Sequence, residues 1–241
     1  MPSDIPFDMP ATKRVTDGLV GFWTFDEASG AMNVADTSHT AAPVSLKVET
    51  AAMIFEPTFG SGVVTASMTA RMISEFNTHL AADCATAGAV TLEAWVKPQT
   101  AVEGDAATPR FIAGLATNVL ERDVVLLQIA DKWVARVRTT ANADGTPSLV
   151  SQSTADPSKF THLVVVADLN QRTLYVDDVA EATDPILGGP SGWDVTNRMA
   201  LFQEPTGGRP WLGSLHIVAL YKRGLLPAEV DQNFQQHADA P

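Results

Sequence analysis

The sequence predicts an all-β domain, a sandwich or a barrel, on three observations. About ten short runs rich in Val, Ile, Leu, Phe, Tyr and Trp are separated by Gly, Pro, Asn and Asp turns. The run Thr91–Lys97 alternates apolar Leu92, Ala94 and Val96 with Thr91, Glu93, Trp95 and Lys97, the period of a strand with two unlike faces. Strands do not alternate with long helical patterns, which excludes βαβ units and a parallel sheet.

Taken in order, residues 1–17 read as an irregular arm, because Pro2, Pro6 and Pro10 interrupt any regular element. One domain, 18–241, follows without a linker long enough to divide it. Leu19–Phe25 is an aromatic, β-rich strand closed by the turn Asp26–Gly30. Val44–Val48 and Met53–Phe55 are short strands, and residues 57–62 read as loop. Met68, Met72, Phe76 and Leu80 recur at i+4, predicting one short internal helix that ends near Gly88. Strands then follow at Val90–Lys97, Arg110–Leu115, Val124–Ile129, Trp133–Arg138, Thr161–Ala167, Thr173–Val176, Met199–Phe202 and Trp211–Tyr221. Leu226–Phe234 reads as a short C-terminal helix with Pro227 in its first turn.

The chain of 241 residues is 45% hydrophobic, enough to bury a full core without metal or disulfide staples. Its single cysteine, Cys84, allows no intrachain disulfide, and Asp83 beside it opposes thiolate formation. A formal net charge of −12 repels phosphate backbones and anionic lipid, which excludes nucleic acid and bare membrane surfaces as expected partners. No stretch is long and apolar enough for a membrane helix. The N-terminus carries no basic and apolar signal-peptide pattern, so the expectation is either a removed leader or synthesis in the cytoplasm.

Four segments together resemble the laminin-G-like, concanavalin A-like lectin and glucanase jelly-roll family: Gly18–Gly30, Thr91–Pro98, Phe160–Asp168 running on to Leu174–Asp177, and Trp211–Val230. Arg136–Thr140 and Glu204–Trp211 resemble its bacterial branch, carried on large multidomain envelope proteins. The resemblance implies a jelly roll of two antiparallel sheets packed face to face. It also implies a glycan or protein partner, often with Ca²⁺, although some relatives in the superfamily are glycosidases. The fold by itself does not choose among these.

Candidate residues follow from the chemistry each role requires. A retaining glycosidase needs two carboxylates about 5–5.5 Å apart. Glu121-Arg122-Asp123 falls in a loop before a strand, and Glu229-Val230-Asp231 falls on a helix where i and i+2 diverge, so neither meets the family's strand-borne arrangement. Ca²⁺ wants six to eight oxygens. Asp26 and Glu27 match the family's acidic pair after the first strand, but His216 and Ile217 stand where many relatives have Asp-Glu, which removes two oxygens. A sugar site needs an aromatic platform and planar polar groups. Trp193, Asp194 and Asn197 supply these in one loop, with Arg209 and Trp211 in a neighbouring one. The competing expectation is that Trp193 and Trp211 cap the sandwich while Arg209 pairs with Glu204. Glu93 and Trp95 share a strand face that could line a groove, unless a loop covers Trp95 and Glu93 pairs with Lys97. His162 lies in a strand signature with no acid partner evident in sequence.

The expected function is a non-catalytic recognition module for a carbohydrate or surface polymer, at a cell surface or outside the cell. The alternative is a structural or assembly protein of a virus particle or surface complex, which would form a homo-oligomer or larger assembly through residues 1–17. Glycoside hydrolysis is a weaker alternative.

Overall fold

The computed structural model describes residues 13–49, 53–58, 61–67, 69–139, 143–185, 189 and 192–236. In chain order its strands are β1 (Leu19–Trp23), β2 (Asn33–Val34), β3 (Leu46–Val48), β4 (Met53–Thr58), β5 (Ser61–Ala66) and β6 (Met72–Ser74). Helix α1 (Leu80–Ala87) follows, then β7 (Val90–Pro98), β8 (Arg110–Ala116), β9 (Arg122–Ile129), β10 (Lys132–Val137) and β11 (Leu149–Val150). The chain continues through β12 (Thr161–Ala167), β13 (Arg172–Val176), β14 (Val179–Asp184), β15 (Arg198–Leu201) and β16 (Gly213–Tyr221) to helix α2 (Pro227–Gln236).

The strands form two antiparallel sheets, as expected for the jelly roll. The first runs β14-β13-β12-β7-β16-β5-β4, with β1 also paired to β16. The second runs β11-β10-β9-β8-β15-β6-β3-β2. Alternation along each strand sends one set of side chains into the space between the sheets. Leu92, Ala94, Val96, Leu163 and Val165 enter from the first sheet, and Leu115, Val124, Leu126, Trp133 and Met199 from the second. Trp23, Trp133 and Trp211 are fully buried. Each indole removes roughly 200 Å² from water, worth an upper bound of about 5 kcal/mol.

Two expectations are corrected. The i+4 pattern does not make a helix from residue 68: Met72–Ser74 is a strand held between β3 and β15, and the helix begins only at Leu80. Met68 lies outside the described residues. Ladder hydrogen bonds on both sides overrode a local periodicity of four residues. The stop at Gly88 stands, in the left-handed conformation with φ +66. Of the expected loop 57–62, residues 59 and 60 lie outside the described residues, and the rest is strand, since Pro57 pairs with Gly62 and Thr58 with Ser61 in the β4–β5 hairpin. Proline is tolerated there because β4 is an edge strand and needs no N–H on its outer side. Gly62 is required by close approach, because a Cβ would stand 1.8 Å from the Phe25 carbonyl oxygen.

The turn between β13 and β14 places Asp177 at φ 48 and Asp178 at φ 66, a left-handed pair that aspartate tolerates. Of the arm 1–17, residues 1–12 lie outside the described residues. Residues 13–17 pack against their own domain: the Val15 N–H donates to Asn233, and the Tyr221 hydroxyl donates to the Val15 carbonyl.

Candidate functional site

Glu93 and Trp95 do share the outward face of the first sheet, but that face is closed. Helix α2 and residues 14–15 lie over it, leaving Glu93 0% and Trp95 3% exposed. Trp95 stacks on His162, at 4.9 Å, and on Phe234 of α2, at 5.7 Å, in a three-ring cluster whose third side, His162 to Phe234, is 5.8 Å. Glu93 pairs with Arg14 rather than with Lys97. Its other contacts are His162 Nε2 at 2.9 Å and Asn233 Nδ2 at 2.9 Å. Burial opposes ionisation of Glu93, but Arg14 and His162 outweigh it and hold the carboxyl well below its usual range. The acid partner of His162 was invisible in sequence, because the two residues meet only through the β7–β12 register.

The loop 193–197 is also turned inward. Trp193 is 6% exposed, and its Nε1 donates to the Arg138 carbonyl at 3.1 Å. Asp194 accepts from the N–H and the hydroxyl of Thr196, closing its own turn. Asn197, 1% exposed, accepts from the Thr117 hydroxyl at 2.6 Å. Beneath this loop lies Asp123, whose carboxyl burial pushes up to about 7 against the pull of Asn197 and the Asp194 N–H. A bulge sets Arg122 and Asp123 together opposite this end of β8. Arg122 takes Glu204 as its partner, so the expected Arg209–Glu204 pair is not formed. Arg122 and Asp123 thus open β9 while Glu121 stays in the loop before it, paired with Arg138, so the two acids have separate structural tasks.

Asp26 and Glu27 follow β1 as expected. Asp26 is exposed, and Glu27 Oε1 accepts from the Ala35 N–H. Asp36, a few residues on, spends both oxygens on backbone N–H groups of Phe22, Ser38 and Val44. Among the described residues no cluster of three or more His, Cys, Asp or Glu side chains gathers around them. These donors do not fit the oxygen-rich shell that Ca²⁺ requires.

Trp211 has a different use. It is fully buried, and its Nε1 donates to Gln128 Oε1 at 2.8 Å. The Gln128 amide donates in turn to the carbonyls of Ala101 and Ala130, both at 3.1 Å. This relay pins the loop between β7 and β8. Glu103 bridges Ala130 there, and its Oε2 accepts from the Leu212 N–H at 3.0 Å. The result is a cavity of about 170 Å³ between that loop and the start of β16. Thr100, Glu103 and Arg110 supply its polar groups, and Val102, Pro210 and Leu212 its apolar wall. Gly104 completes the rim at φ +68, where a Cβ would come within 2.7 Å of the Thr108 carbonyl oxygen.

Glu103 is 9% exposed, and its Oε1 has no hydrogen-bond partner. Burial raises its carboxyl, while the Leu212 N–H, Thr100 and Arg110 pull it down. Glu103 is the one carboxylate among the residues lining the cavity. Sequence reasoning came to its edge at Arg209 and Trp211 but missed Glu103 and Arg110. Neither carries a motif, and strand pairing brings them together.

A family model described as the concanavalin A-like lectin/glucanases superfamily matches residues 75–231. No curated protein matches the chain in sequence. Several solved structures share the fold. One is the binding domain of Paraclostridial Mosquitocidal Protein 1, with TM-score 0.66 and 14% identity over 92% of this chain and 53% of that one. Another is domain 4 of AbnA, an extracellular arabinanase from Geobacillus stearothermophilus, in complex with arabinotriose, with TM-score 0.61 and 12% identity over 90% of this chain and 98% of that one. A third is Trypanosoma rangeli sialidase in complex with sialic acid, with TM-score 0.67 and 17% identity over 93% of this chain and 33% of that one. The chain therefore spans about half of the toxin domain and a third of the sialidase.

Proposed function

Because the chain belongs to the concanavalin A-like lectin/glucanase superfamily, we propose that it is a non-catalytic carbohydrate-binding module whose site is the cavity edged by Thr100, Glu103, Arg110, Pro210 and Leu212. The observation that carries this proposal is the chemistry of the lining. A carboxyl acceptor, a guanidinium donor and a hydroxyl converge beside an apolar wall, the combination that grips hydroxyls and a C–H face together. At about 170 Å³ the cavity suits one sugar unit, well below the roughly 300–1,000 Å³ of a drug-sized site. A single lining carboxylate cannot supply the acid and nucleophile pair of glycoside hydrolysis. The complexes with arabinotriose and sialic acid are properties of those two proteins; they support the sugar reading as precedent for the fold. A surface or extracellular location is part of this proposal.

A glycan array, run with Ca²⁺ and with a chelator, tests it. Binding is expected in both conditions and is lost in Arg110→Ala and in Leu212→Trp, which fills the cavity. An array without a hit in either condition overturns the proposal, as does binding unchanged in both variants.

A further inference from the structure

Asp123 is a buried carboxylate that neither the cavity nor an ion pair employs. It follows Arg122 at the bulge that opens β9 and is 0% exposed. Its Oδ1 accepts from the Asp194 N–H at 3.2 Å, and its Oδ2 has no hydrogen-bond partner. The Asn197 amide lies close enough to favour the charged form, yet its Nδ2 completes no hydrogen bond. No Lys or Arg nitrogen stands within 4.0 Å of the carboxyl among the described residues.

The charged and titratable groups around it are few. Arg122, its neighbour in the chain, is spent on Glu204. Arg138, just after β10, attracts the carboxylate but is committed to Glu121 Oε2 at 2.9 Å. Asp194, in the loop above, repels it and turns its own Oδ1 to Thr196. From α1 comes Cys84, a buried thiol that burial holds neutral. A carboxylate so placed loses its hydration without gaining a cation, so burial favours the neutral acid. The carboxyl is accordingly pushed up to about 7. The loop 193–197 above it is held, beyond the packing of Trp193, by single hydrogen bonds. The Asp194 N–H donates to Asp123, Trp193 Nε1 to the Arg138 carbonyl at 3.1 Å, and the Thr117 hydroxyl to Asn197 Oδ1 at 2.6 Å.

We propose that Asp123 is a proton-operated latch on the loop 193–197: the neutral acid keeps the loop seated, and the ionised acid lifts it to reach water. Once the loop lifts, the carboxyl is hydrated and returns to the ordinary aspartate value of 3.8. The folded value is raised, so the closed loop is fully favoured below 3.8, and that advantage is lost as pH rises through about 7. Between those values opening releases one proton and grows by up to about tenfold per pH unit; above them it levels off. Opening then rises on the order of fiftyfold between pH 5 and pH 7, and roughly twofold more by pH 8.5. The latch and the cavity sit at opposite ends of β8, since Arg198, just past the loop, pairs with Ala116 while Arg110 opens the strand beside Glu103. The latch therefore stands or falls independently of sugar binding.

Hydrogen exchange of the full chain, followed by NMR from pH 5 to pH 8.5 and divided by the intrinsic base-catalysed rate, tests the latch. The Asn197 N–H and the Trp193 indole N–H are the reporters, because they bond the Asp194 and Arg138 carbonyls and not the Asp123 carboxyl. Their opening is expected to rise about fiftyfold between pH 5 and pH 7 and then to flatten. Asp123→Asn keeps the shape and cannot ionise, so its reporters should show no such rise. Both reporters should exchange faster than the Leu163 N–H of central strand β12, which reads unfolding of the whole domain. The proposal is overturned by wild-type opening that does not change with pH, by the same rise in Asp123→Asn, or by reporters that exchange no faster than Leu163.

Discussion

Replacing Arg14 with Ala removes the guanidinium that neutralises Glu93 beneath the N-terminal segment and α2. Breaking a buried ion pair from one side costs about 3–5 kcal/mol, since the remaining charge stays out of water. The low end applies here. The Arg14 side chain is 11% exposed, and His162 and Asn233 still bond the carboxylate. Loss of the Arg14 stack on Phe22, at 4.8 Å, adds about 0.5 kcal/mol. The expected cost at pH 8 is therefore about 3 kcal/mol, read from urea unfolding. The sign with pH is fixed by the direction of the Glu93 shift. Its folded pKa is depressed, so its stabilisation is present above the unfolded value of 4.5 and lost as pH falls through the folded value. In R14A burial is no longer outweighed, the carboxyl rises, and protonation relieves the penalty. The cost of the substitution should then shrink between pH 8 and pH 5. The double change R14M/E93Q should cost less than R14A alone, because the pair carries its own desolvation burden. An R14A cost under about 1 kcal/mol, or one that does not vary between pH 8 and pH 5, would refute this account.

Other outcomes follow from the same structure. Asp123→Asn should stabilise the protein at pH 8 by about 1–3 kcal/mol, the upper bound being about 4 for a shift of roughly three units. Because the folded value, about 7, lies above the unfolded 3.8, the benefit should vanish below pH 4, and urea unfolding at the two pH values measures both. Trp193→Phe should cost about 1 kcal/mol for the missing bond to the Arg138 carbonyl while leaving array binding intact; a binding defect with normal stability would return Trp193 to the ligand site. Trp211→Phe breaks the relay through Gln128 and should weaken binding at the cavity without any contact to the sugar, which array intensity against melting temperature separates. Millimolar Ca²⁺ should leave the melting temperature unchanged; a rise abolished by Asp26→Asn would establish a cation site at Asp26 and Glu27.

The strands were legible in the sequence because apolar alternation and turn chemistry act over a few residues. Val90–Pro98, Thr161–Ala167 and Gly213–Tyr221 lie within a residue or two of where pattern alone placed them, and Gly88 turns the chain as its backbone freedom predicts. Position on a face was beyond the reach of local pattern. Alternation shows that Glu93 and Trp95 share a side of β7, but only packing decides that α2 and Arg14, 79 residues away, cover it. The same holds for Trp211, whose burial in the core against Gln128 of β9 makes it a support and not a platform. Local sequence sets which residues turn together. What lies opposite them depends on contacts between distant strands, and burial, charge partners and the cavity at Glu103 exist only once the two sheets have closed.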